Sequence, residues 1–145
     1  MFKKTMSGQD RLATWREFRH SFPDDGNEMD VVNAFATTVV GRRYLDYYTP
    51  ESWPNIFDIV RDGMLCQTGL TLVMASTLVH LGFMKAEQLQ FDAISNHITG
   101  NDGIILVYQD ACYNFLPDEI VDVKYATDNS TIFARHFIAV DKFPC

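Results

Sequence analysis

Residues 62–83 read DGMLCQTGLTLVMASTLVHLGF, and this stretch constrains the fold more than any other. Leu70, Val73, Met74, Thr77, Leu78 and Leu81 fall at helical spacing, and the residues between them leave little polar face. That pattern predicts a core helix buried nearly all round, opening near Cys66 and ended by Gly82 as its C-cap. The window Leu65–Phe83 also holds Gln67, three threonines, Ser76 and His80, which is too polar for a membrane span.

Upstream, the pattern is helical. Ser7 with Asp10 three residues on reads as a capped helix start, and Leu12, Trp15, Phe18 and Phe22 form its apolar stripe. Pro23–Asn27 is a turn. A second helix is expected from about Met29 to Tyr47, with Val31, Val32, Phe35, Val39, Tyr44 and Tyr47 or Tyr48 inward. Thr49-Pro50 gives another start signal, although Ser52 equally suits as cap for a helix over 54–61. Gly63 ends that element.

After Lys85 the period changes to two. Strands are expected over 90–98, 104–108, 113–116, around 120–125 and over 132–140, with turns at 99–103, 109–112 and 127–130. Residues 104–116 read as a hairpin. Helices gather in the first half and strands in the second. The fold class is therefore α+β: N-terminal helices, with the buried cysteine-bearing helix packed on a C-terminal antiparallel sheet. The 145 residues fit one domain, 1–145.

Composition narrows the partners. Nineteen acidic against twelve basic residues give a net charge of −7, which argues against a nucleic-acid partner. Met1-Phe-Lys-Lys-Thr has no apolar run after its lysines and is not expected to be a secretory signal. Three well-separated cysteines form neither a zinc site nor a disulfide framework. A reducing, cytoplasmic setting is the simplest expectation, including host cytoplasm or a virion if the chain is viral. No phosphate loop, dinucleotide fingerprint or G-x-S-x-G occurs, so no cofactor or metal is expected. The acidic cluster Asp24, Asp25, Glu28 matches no calcium loop and reads as a solvated turn.

Cys66 is the first candidate for chemistry. At a helix start, free N–H groups and the positive end of the dipole favour a thiolate nucleophile; the plain alternative is a small buried residue filling the core. A nucleophile also needs a base and an acid to orient it. His20 ends the first helix as a solvated charge. His80 lies too far along its own helix, roughly 20 Å from Cys66. His97, before the glycine turn, and His136, on the last strand, remain, each with a structural alternative. Asp118, after the hairpin, and Asp141, at the end of the last strand, are the candidate orienting acids.

With these residues in place a family resemblance can be stated. The stretch from Gly63 through Cys66, Leu70, Met74, Leu78, Leu81 and Gly82 resembles the core of transglutaminase-like domains, within the wider papain-like cysteine-protein group. The hairpin ILVYQDACYNFLPDE is similar to that family's paired strands at Tyr108, Asp110 and Tyr113. The similarity spans about residues 52–120. It implies a Cys–His–Asp site with Cys66 on the helix. The histidine position falls near Asp102 or Gly103, and the aspartate position near Pro117, with Asp118 one residue late. His97, folded back by the 99–103 turn, or His136, on a different strand, would then have to serve as base.

Two function classes follow. One is a cysteine-dependent amide hydrolase or acyl transferase working through a thioester on Cys66, with a protein or peptide substrate. The other is a non-catalytic interaction or structural module on a degenerate transglutaminase-like scaffold, such as a phage-encoded virion component or host-protein inhibitor. The second draws on an aromatic content of 13%, with Trp15, Tyr44, Tyr47, Tyr48 and Trp53 in the first half.

Overall fold

The computed structural model describes residues 1–38 and 45–138. Helix α1 (Gly8–His20) opens with the predicted capping box: Ser7 Oγ accepts from the Asp10 N–H at 3.1 Å, and the Asp10 carboxylate accepts from the Ser7 N–H. It buries Trp15, whose indole N–H donates to Thr77 Oγ1 at 2.9 Å. Helix α2 (Glu28–Ala36) repeats the box with Asn27 and Asp30, and buries Val31, Val32 and Phe35. It is shorter than expected. It ends at Ala36, residues 45–48 are not helical, and Val39 and Tyr44 lie outside the described residues.

Pro50–Ser52 forms one 3-10 turn without a side-chain cap. Neither Thr49 nor Ser52 starts helix α3 (Ile56–Asp62). Asn55 does, accepting from the Asp58 N–H at 2.9 Å. Gly63, at φ 68°, ends α3 as predicted. Helix α4 (Gln67–His80) follows with Cys66 as its N-cap, and its residues 68–78 are all buried. At its far end Leu81 is the half-helical residue and Gly82 takes the left-handed position, φ 86°, while the Phe83 N–H returns to Leu78 O.

The sheet comprises β1 (Gln90–Asn96), β2 (Asp102–Tyr108), β3 (Ala111–Tyr113), β4 (Ile120–Asp122) and β5 (Ser130–His136). Their order is β4-β3-β2-β1-β5, every pair antiparallel. The observed class is the predicted α+β one. Local boundaries differ. The hairpin turn is only Gln109–Asp110, and Asn114 at φ 64° ends β3 three residues after it starts. The segment expected as strand around 120–125 is half helix: Asp122 accepts from the Lys124 N–H and opens α5 (Val123–Asp128). Residues 127–128, expected in a turn, therefore belong to that helix.

The sheet has two apolar faces. Phe91, Ala93, Ile104, Leu106 and Tyr113 join the helical core around α4. Ile94, Ile105, Val107, Cys112 and Phe115 form a smaller core with Ala126 of α5. Burial pushes the Cys112 thiol up to about 12, so it is inert there. Among the described residues no helix is long and apolar enough to cross a membrane.

Asp92 on β1 is 3% exposed. Burial holds its carboxyl above the usual range, against the opposing pull of Gln90 Nε2 at 2.8 Å and Arg135 Nε at 3.6 Å. The folded chain thus keeps a proton that the unfolded chain releases. The resulting stability is present below the ordinary aspartate range and is lost as pH rises through the folded value. Asp92→Asn should match wild type near pH 3.5 and exceed it in melting temperature at about pH 7, a gap that calorimetry across that range will read.

Candidate functional site

The α3–α4 junction presents Cys66 by a chain of local constraints. The Arg11 side chain donates to Val60 O and Met6 O, each at 2.7 Å, and to Arg61 O, so it caps the end of α3. The Met64 N–H returns to Ile59 O at 3.0 Å. This folds the loop so tightly on α4 that a Cβ at Gly69 would lie 1.8 Å from Met64 O. Gly69 is therefore required on the first turn. Its N–H donates to Cys66 Sγ at 3.5 Å, and the Leu45 N–H donates to the same sulfur at 3.3 Å. Cys66 is 3% exposed.

Gln67 fixes this helix end to the sheet. Its Oε1 accepts from the Ile104 N–H at 2.9 Å and its Nε2 donates to Asn114 O at 3.3 Å. A Cβ at residue 103 would sit 1.9 Å from that Oε1, so Gly103 leaves the room the carboxamide occupies. Thr71 Oγ1 lies 2.9 Å from Ile104 O, and Asn114 Nδ2 donates to Thr71 Oγ1 at 2.8 Å. The start of β2 is thus the strand segment set against the cysteine end of α4. Its first side chain is Asp102, exposed, with the Tyr47 hydroxyl 3.5 Å away. Burial, then Asp102, pushes the Tyr47 phenol above its ordinary value.

The predicted site residues are distributed over three places. His97 stands just past β1, exposed, with Nε2 2.9 Å from Thr131 Oγ1. His136 Nε2 donates to Tyr47 O at 3.1 Å, and its ring meets Trp53 edge to face at 6.0 Å. Across the sheet His136 pairs with Phe91 and Phe91 with Leu106, whereas Gly103 pairs with Ile94 and Ile94 with Ile132. His136 is therefore three residues along and two strands over from Gly103, roughly 10 Å in each direction. Asp118 is exposed in the turn after β3, and Asp141 lies outside the described residues. Among the described residues the two hydrogen-bond partners of the Cys66 sulfur are backbone N–H groups.

Sequence reasoning missed Gln67, Thr71 and Asn114. One signal was available: Gly103, at the head of the apolar strand run 104–107, marks a close approach by another group.

The fold can now be compared with known proteins. No family model and no curated protein matches the sequence. Solved structures of LapG from Legionella pneumophila do match. The calcium-bound form aligns at a TM-score of 0.67 and 14% identity, covering 91% of this chain and 77% of LapG. A second LapG structure aligns at 0.62 and 16%, covering 86% and 75%, and the EGTA-treated form at 0.60 and 15%, covering 86% and 73%. At such identities the likeness establishes the fold, which is the transglutaminase-like one. LapG was solved with calcium; among the described residues here, no three histidine, cysteine, aspartate or glutamate side chains converge to hold a metal ion.

Removing the Gln67 carboxamide strands the buried Ile104 N–H. Gln67→Ala should lower unfolding free energy by about 1–3 kcal/mol in urea titration.

Proposed function

We propose that the chain is a protein-binding module built on a cysteine-hydrolase scaffold, in which Cys66 caps α4 and closes the core. One observation carries this reading: the strand segment against the head of α4 offers Asp102, and the sulfur accepts from the Leu45 and Gly69 N–H groups. A thiol attack needs a group that takes the proton and later returns it to the leaving amine. The described histidines at 97 and 136 are engaged with Thr131 and Tyr47 instead. The fold supports a protein or peptide as the bound partner, because LapG, which shares it, is a cysteine protease.

A second reading has its own support. Cys66 sits at the N-cap of a 14-residue helix, with two N–H groups on its sulfur. In that reading the sulfur attacks an amide carbon, His97 or His136 accepts the thiol proton and delivers it to the departing amine, and Asp118 or Asp141 orients the imidazole. Water then releases the acyl group from the thioester. Donors beside the sulfur would hold the oxyanion.

Alkylation separates the two. Native protein is treated with dilute iodoacetamide at about pH 6, and the Cys66 peptide is followed by mass spectrometry. The module reading expects Cys66 to react at least about tenfold more slowly than in the urea-unfolded chain. Faster reaction in the native state, slowed by His97→Asn or His136→Asn, would establish the hydrolase reading in its place.

A further inference from the structure

A cavity of about 440 Å³ opens beside the head of α4. Its floor is apolar: Phe35 of α2 with Leu70 and Met74 of α4. Its remaining lining carries hydrogen-bond acceptors. Asp102 stands exposed there. Asn114 spends its amide donors on Thr71 Oγ1 and Gln67 O, which leaves its carboxamide oxygen to accept. Thr38 also lines the cavity. It is 8% exposed, and its hydroxyl is one of two buried side-chain polar atoms without a partner among the described residues. That oxygen has almost no accessible surface, so Thr38 contributes to the wall and not to the acceptors that face the cavity.

We propose that this cavity takes an arginine side chain presented by a protein partner. The inference rests on the reading of the chain as a protein-binding module and names the chemistry that module recognises. An arginine stem of three methylenes lies well on Phe35, Leu70 and Met74, while its head reaches toward water and charge. The planar guanidinium has five donors and no acceptor, and the lining offers a carboxylate and a carboxamide oxygen. A lysine ammonium is a point charge and matches spread acceptors less well. The net charge of −7 adds long-range attraction for a basic partner.

The probes are three blocked tripeptides, Ac-Ala-Xaa-Ala-NH2, with arginine, lysine or citrulline at the centre. Citrulline keeps the shape and removes the charge. Binding to the full chain is read from shifts of the Gln67, Asp102 and Asn114 amide resonances. The arginine peptide should bind at least about tenfold more tightly than the citrulline peptide, and Asp102→Asn should erase that preference. No saturable shift below roughly 10 mM, or equal binding of arginine and citrulline, overturns the proposal, and a preference for lysine overturns the choice of arginine. Alkylation and peptide binding thus fail separately: a fast-reacting Cys66 overturns the module reading with arginine binding intact, and absent arginine binding leaves an inert Cys66 unexplained only as to its partner.

Discussion

The structure depends on one constraint, the burial of α4 on every side. A helix without a polar face needs a layer above and a layer below, and the chain supplies α1, α2 and α3 on one side and the sheet on the other. The constraint also dictates what happens to the polar side chains it carries inside. Thr77 takes the Trp15 indole N–H and Thr71 reaches Ile104 O. Gln67 bridges β2 and the end of β3. These bonds join α4 to α1, to β2 and to the end of β3, so the polar groups that burial would penalise become the joints of the fold.

Those joints explain why the head of α4 is so closely specified. Gly69 and Gly103 are both places where a methyl group would collide, with Met64 O in one case and Gln67 Oε1 in the other. At Gly69 the collision is with backbone, which no rotamer change relieves, whereas at Gly103 the Gln67 side chain would have to swing away and give up the Ile104 N–H. The cysteine cap belongs to the same assembly. Its sulfur fills a position where serine or threonine is usual, and accepts the same N–H that a hydroxyl would.

The α+β class and α4 itself were legible because period and length leave little choice for an apolar run ended by glycine. Helix α1 was legible because Ser7 and Asp10 form a local box. The failures have physical causes too. Asn27 and Asn55 cap as well as serine does, so the start of α3 was assigned to the wrong polar residue. Residues 120–128 carry too few apolar positions to tell a short strand from one turn of helix, and Asp122 decided it. The joints around Cys66 were hidden because they couple residues 37 to 47 apart in sequence, beyond the reach of any periodicity.

The start of β2 carries a carboxylate, Asp102, and what that group can do bears on the proposed role of the site. Toward a thiol, a carboxylate is a poor base: their ordinary proton affinities differ by about 4–5 pKa units, which makes the transfer uphill by about 6 kcal/mol. The carboxylate's negative charge at an exposed rim above an apolar floor favours a cation with an aliphatic stem. On the proposed reading, Asp102 serves the capture of a basic side chain, and the start of β2 is the position at which recognition and catalysis would part on one scaffold.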